Sequence, residues 1–208
     1  MSGIHSCSSD LINQLIGKTL GGAGDSDAHL MTLFSIAISM KAKRILELGV
    51  RNGDSTLPFI LAASCTRGTV QSVDINDTKF ICPDNLRDYW RFYKQDSLEF
   101  LKKLDRSTPY DIIYIDDWHA YEHVKEELQI VDGLVSMKSV IILHDLMYHT
   151  APYYHCDLAV KTGQWANGGP YRAVAELDQN FWEFATIPVC NGLTILRKKY
   201  SSKYHILR

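Results

Sequence analysis

From Arg44 onward, short apolar runs alternate with stretches whose apolar residues recur at helical spacing. The β-type runs fall at Arg44–Leu48, Thr69–Val73, Phe92–Lys94, Asp111–Ile115 and Val140–Leu143, with helical patterns near 55–64, 84–90, 97–104 and 120–131. Alternation of this kind predicts a parallel sheet with helices on both faces. A further helix is predicted near Tyr171–Leu177. The tail then changes rhythm: Trp182–Ile187 and Leu193–Leu196 flank Pro188-Val-Cys-Asn-Gly192, and Asn-Gly between two β runs predicts a hairpin.

Upstream, Ser8, Ser9 or Asp10 can cap a helix carrying Leu11, Ile12, Leu15 and Ile16. Gly21-Gly22-Ala23-Gly24 interrupts it, and a second helix beginning near Ser26 or Asp27 carries Leu30, Leu33, Phe34 and Ala37. The fold class expected is α/β: a doubly wound, mostly parallel seven-stranded sheet that ends in an antiparallel hairpin, with N-terminal helices. No linker or repeat divides the chain, so one domain is expected over 1–208, with a helical segment at 1–41 and a core at 42–199. Residues 146–170 lack periodicity and hold Tyr148, His149, Tyr153, Tyr154, His155 and Trp165. A stretch this long without periodicity reads as a substrate loop.

Composition narrows the class. A length of 208 residues with 46% hydrophobic and 22% charged residues is that of an ordinary globular domain. A net charge of −2 gives no electrostatic pull toward nucleic acid or anionic membrane. The five cysteines, Cys7, Cys65, Cys82, Cys156 and Cys190, are scattered and form no Cys-x-x-Cys pair, which argues against a disulfide framework or a structural zinc site. The N-terminus lacks the basic and apolar regions of a secretion signal, and no apolar run is long enough to span a bilayer. A cytoplasmic protein without membrane or nucleic-acid partners is the expectation.

The most informative segment is Arg44-Ile-Leu-Glu-Leu-Gly-Val-Arg-Asn-Gly-Asp-Ser-Thr56, a strand that stops at Gly49, a glycine turn through Gly53 and a helix start. Such a junction turns backbone N–H groups toward a polar ligand. Acidic residues end two later strands, in Val73-Asp74 and Ile115-Asp116. Open α/β sheets build their ligand crevice at such strand ends. A dinucleotide site would want Gly-x-Gly-x-x-Gly, but Arg51 holds the middle position.

Glu47-Leu-Gly-Val-Arg-Asn-Gly-Asp-Ser55 resembles the first motif of class I S-adenosylmethionine-dependent methyltransferases, most closely the catechol-type O-methyltransferases. The likeness runs from about residue 30 to residue 197 and implies a Rossmann-like fold closed by the final hairpin. It implies that Gly49 and Gly53 let the backbone approach the methionine part of the cofactor and that Asp74 accepts from the ribose hydroxyls. Asp96-Ser97 resembles the family's adenine-binding step, with Gln95 where glycine is common. Glu47, Arg51, Ser55, Ile75 and Asp116 are implied as further cofactor-binding residues.

Asp116-Asp-Trp-His-Ala-Tyr-Glu122 is similar both to the Asp-His-Trp-Lys of catechol O-methyltransferase and to the Asp-Gly-x-His-x-Tyr-Glu of a broader bacterial group. By that likeness Asp116, His144 and Asp145 form a metal site, with Asp117 able to assist. His119 or His144 is the catalytic base. Oxygen ligands alone would suit magnesium, whereas His144 in the set would favour manganese, iron or zinc. The activity implied is methyl transfer to a hydroxyl of a small molecule. Two other readings stay open: a metal-independent O- or N-methyltransferase, and a non-catalytic nucleotide-binding protein on the same fold. A homodimer is compatible with the amphipathic N-terminal helix.

Overall fold

The structure, a computed structural model, describes residues 9–22, 24, 26–147, 163 and 165–199. One sheet carries β1 (Arg44–Leu48), β2 (Thr69–Asp74), β3 (Trp90–Lys94), β4 (Tyr110–Ile115), β5 (Val135–His144), β6 (Trp182–Ile187) and β7 (Leu193–Lys198) in the order β3-β2-β1-β4-β5-β7-β6. The first five strands are parallel, and β7 runs antiparallel between β5 and β6. The helices are α1 (Ser9–Gly21), α2 (Leu30–Ser39), α3 (Thr56–Thr66), α4 (Ser97–Leu101), α5 (Tyr121–Asp132) and α6 (Gly169–Ala175). This is the doubly wound, Rossmann-like arrangement expected, hairpin included.

Alternation along the central strands separates two cores, because successive strand side chains point to opposite faces. Ile45, Val70, Ile112, Tyr114 and Ile142 pack with Leu15, Leu30, Leu33 and Phe59 of the first three helices. Leu46, Leu48, Val73, Ile113, Ile115, Ile141 and Leu143 pack with Phe100, Leu101, Val124, Leu128 and Val174 of the last three.

Boundaries shift where side chains claim backbone groups. Strand β5 begins at Val135 rather than Val140, and its register against β4 slips between Tyr110 and Ile112. At the slip Asp111 Oδ2 accepts from the Lys43 and Arg44 amides at 2.7 and 3.0 Å, while Ser139 Oγ donates to the Tyr110 carbonyl at 2.6 Å. The run near 84–90 is a 3-10 turn, Asp84–Tyr89, not an α-helix. Cys65 is disulfide-bonded, although the scattered cysteines argued against a disulfide framework. Most of the 146–170 stretch, including His149, Tyr153, Tyr154 and His155, lies outside the described residues.

Glu47 locks three elements together. Its position in β1 points it into the interior, where it is wholly buried. Ser55 and Thr56 at the start of α3 donate to it at 2.7 and 2.8 Å, and Ser72 of β2 is a third donor. Trp90 Nε1 of β3 in turn donates to Ser72 Oγ at 2.9 Å. Burial pushes the Glu47 carboxyl up to about 7 despite the three hydroxyls that favour its anion. The folded chain therefore keeps this proton after the unfolded chain has lost it, and stability falls as pH rises from about 4.5 through 7. In Glu47→Gln that fall should be absent. Urea unfolding from pH 4.5 to 8 should show the variant gaining on the parent by up to about 3 kcal/mol. A difference constant across that range would mean that Glu47 ionises as it does in the unfolded chain.

Candidate active site

The sheet order reverses between β1 and β4, and the ends of these strands open a crevice. Gly49 N donates to Val73 O at 2.9 Å and Asp116 N to Leu48 O at 2.8 Å, which ties the three strand ends together. Gly49 sits at φ +89°, where a Cβ would lie 2.2 Å from the Asp116 carbonyl oxygen. Gly53 sits at φ +78°, and a Cβ there would meet the Phe80 ring at 2.3 Å. Both glycines are thus required by the protein's own packing. Only Gly49 also borders open space.

That space is a cavity of about 520 Å³ lined by residues that include Gly49, Arg51, Asp74, Ile75, Asp96, Ser97 and Asp116. Seven of the ten residues expected at the cofactor therefore share one cavity. Ser55 lines a smaller adjoining one with Gly49, Arg51, Asp116 and Ser26. Glu47 and Gly53 line neither and shape the loop from behind.

Asp74 has a second task. Its Oδ2 accepts from the amides of Val50 and Arg51 at 3.0 and 3.1 Å, and its Oδ1 from the Asn76 amide at 2.8 Å. The carboxylate thus moulds the glycine loop, and one lone pair on Oδ1 stays open to a hydroxyl. Asp96 caps α4 by accepting from the Glu99 amide at 3.0 Å.

At its inner end the cavity meets a cluster. Asp116 follows β4, His144 ends β5, Asp145 follows at φ 63°, and His119 precedes α5. His119 Nε2 lies 3.3 Å from Asp116 Oδ1 and 3.1 Å from Asp145 Oδ2. His144 Nδ1 lies 3.0 Å from Asp145 Oδ1 and 3.5 Å from Asp116 Oδ1. The Tyr114 hydroxyl donates to Asp116 Oδ2 at 3.1 Å.

Charge compensation decides protonation here. Burial works against the charged imidazoles, but hydrogen bonds that His119 donates to Asp116 and Asp145 outweigh it and push His119 up to about 10. Burial acts the same way on His144, and the Asp116 charge with the close approach of both carboxylates raises it to about 11. The same partners hold the Asp145 carboxyl far below the usual range against its burial.

The cluster fits a divalent cation. Ligand atoms of Asp116, His144 and Asp145 all lie within 4.8 Å of one another. His144 Nδ1 and Asp145 Oδ1 are buried, and among the described residues neither makes an aligned hydrogen bond. Such orphaned groups facing each other are what a cation satisfies. His119 stacks on Trp165, the rings 4.8 Å apart and 13° from parallel.

Some participants escaped the sequence reading. His29, 1% exposed, meets the edge of the His144 ring at 5.4 Å, and its Nε2 lies 3.0 Å from the Val189 carbonyl oxygen. Nothing in its local pattern marks it. Tyr114 was legible, since two residues before Asp116 on a strand means the same face. The pair His123 and Glu127, one turn apart on α5, was also legible.

No curated protein matches the sequence significantly. A family described as a methyltransferase domain matches residues 46–146. Among solved structures, the S-adenosylhomocysteine-bound methyltransferase PaMTH1 of Podospora anserina superimposes with a TM-score of 0.64 at 16% identity, over 92% of this chain and 88% of its own. The O-methyltransferase of Bacillus cereus, also in complex with S-adenosylhomocysteine, gives 0.61 at 16% identity over 96% and 93%. MycE of the mycinamycin pathway, in complex with magnesium, S-adenosylhomocysteine and mycinamycin VI, gives 0.63 at 18% identity over 98% of this chain and 58% of its own.

Gly49→Ala tests the backbone constraint. A positive φ and a backbone clash together should cost well over 1 kcal/mol in urea unfolding. A loss within about 0.5 kcal/mol would mean that the loop yields easily. Residues 46–146, which span the glycine loop and three strand ends, thus match a methyltransferase domain, and the fold is shared along most of the chain with solved methyltransferase structures.

Proposed function

We propose that the protein methylates a hydroxyl of a small molecule, with Asp116, His144 and Asp145 holding a divalent cation and His119 taking the proton. One observation carries this reading: Asp116 belongs both to the long cavity and to the histidine–aspartate cluster. A ligand seated along Gly49 and Asp74 would end beside two imidazoles. S-adenosylmethionine supplies an activated methyl, which leaves alignment and proton handling to the protein. A cation in the cluster would supply Lewis acidity toward the acceptor hydroxyl. The magnesium named in the MycE complex supports that part of the reading.

The chain's own groups divide the work. Asp74 offers its open lone pair to the ribose, and Asp96 and Ser97 border the adenine end. Arg51, Ile75 and Ser55 line the walls between. Exposure separates the two histidines: 11% of the His119 side-chain surface is open, against 1% for His144. His119 can therefore reach an acceptor, while His144 is placed as a ligand. Trp165 fixes the plane of the His119 ring, and a cation held by Asp116 and Asp145 would draw off the carboxylate charge that otherwise keeps His119 protonated, leaving a neutral imidazole to accept the proton. The acceptor is proposed to be a small molecule, a reading supported by the presence of mycinamycin VI in the MycE complex. Among the described residues no helix is long and apolar enough to cross a membrane.

Calorimetric titration with S-adenosylmethionine should show micromolar binding by the parent. Asp74→Ala should weaken it at least tenfold, about 1.4 kcal/mol or more. No binding by the folded parent would overturn the assignment of the cavity. A second experiment separates cation from cofactor. With a panel of phenols and sugars as acceptors, Asp145→Asn and chelator treatment should each abolish formation of S-adenosylhomocysteine, with cofactor affinity within about threefold of the parent. Turnover that survives a strong chelator would select the metal-independent reading.

A further inference from the structure

Next to Asp116 in sequence, Asp117 points the other way. Tyr114, which packs with the first three helices, meets Asp116, whereas Asp117 meets Ser97 of α4 and His123 of α5. There it meets His123 and Glu127, which lie one turn apart on a single face of α5. His123 Nε2 stands 3.2 Å from Asp117 Oδ2, 3.4 Å from Glu127 Oε1 and 3.1 Å from Ser97 Oγ, on the first residue of α4.

Two observations say that something more belongs in this cluster. The Glu127 side chain is 0% exposed, and among the described residues neither of its oxygens receives an aligned hydrogen bond; Asp117 Oδ1 is in the same position. Two carboxylates also oppose one imidazole, which leaves a buried negative surplus. Buried carboxylate oxygens without donors cost several kcal/mol unless a proton or a cation joins them.

We propose that Asp117, His123 and Glu127 form a second divalent-cation site, distinct from Asp116–His144–Asp145 and suited to a zinc-like ion, with Ser97 or water as fourth ligand. The ligand atoms of the three residues all lie within 4.8 Å of one another. Around an ion with bonds of about 2.0–2.1 Å, tetrahedral ligand atoms stand about 3.3–3.4 Å apart. The 3.2 and 3.4 Å separations match that edge. They exceed the roughly 2.7–2.9 Å of a charge-assisted hydrogen bond. One nitrogen and two carboxylate donors, without cysteine, suit zinc, manganese or iron. Ser97, Asp117 and His123 also line the 520 Å³ cavity. An ion here would clamp α4 to α5 along the wall of that cavity, so its role is structural. None of this depends on which acceptor is methylated.

The competing occupant is a proton on Glu127, whose carboxyl is pushed up to about 8 by burial and by the charge of Asp117. Cobalt(II) distinguishes the two. Full-length Asp145→Asn protein, with the first cluster disabled and all metal stripped, should bind one cobalt with the visible absorption of a four-coordinate ion. Zinc should displace it and raise the unfolding temperature. Adding Glu127→Gln, or His123→Gln as a second variant, should weaken cobalt binding at least a hundredfold while S-adenosylmethionine binding shows that the chain is folded. Absence of cobalt binding by the folded Asp145→Asn protein would overturn the proposal and leave the proton in place. Undiminished binding by either added variant would overturn it too.

Discussion

The structure of the site depends on where β4 ends. Asp116 is held there by its amide on Leu48 O, and its carbonyl oxygen fills the space that a side chain at position 49 would need. Its carboxylate faces Tyr114, His119 and His144 at 3.1–3.5 Å. One residue therefore sets the glycine loop through its backbone and the charged cluster through its side chain. The Glu47 network stiffens the same loop from the other side, joining β1, β2 and the start of α3 through one buried carboxylate. Loop, cavity and cluster are positioned as a unit because rigid strand ends carry them.

Two carboxylates and two imidazoles share a nearly dry space, and each charge is tolerable only because of the others. The arrangement also needs an aspartate in the left-handed region at position 145, a conformation its short polar side chain accepts more readily than most. Distant parts of the chain secure it. Met147 N donates to Asn191 O at 2.7 Å, which pins the turn after Asp145 to the hairpin loop. Gly192, at φ +86°, leaves room for the Met147 side chain there. His29, just before α2, packs on His144 and reaches Val189 in the same loop. The hairpin thus does more than finish the sheet: it holds the back of the cluster.

The fold was legible because its signals are local. Strand runs at Arg44–Leu48, Thr69–Val73 and Asp111–Ile115 are short and strongly apolar, and Asn191-Gly192 announces the hairpin. The residues expected at the cofactor were drawn mainly from strand ends, and seven of those ten line one cavity. What escaped depends on tertiary placement. The roles of Glu47 and Gly53 in packing depend on partners eight to twenty-seven positions away, Ser55, Ser72 and Phe80. The slip at Asp111 needs the amides of Lys43 and Arg44, and His29 finds Val189 at a separation of 160 residues. No periodicity encodes such contacts.

The pair Asp116-Asp117 shows how a local rule can produce a non-local result. Just past the end of β4 the two adjacent carboxylates point apart, and each side supplies histidine by a different route. One set comes from the loop before α5 and the end of β5, the other from a single turn of α5. Both clusters border the same cavity, Asp116 at one wall and Asp117 with His123 at another. The separation of the two clusters is therefore set by where β4 ends, independently of which ligand fills the cavity.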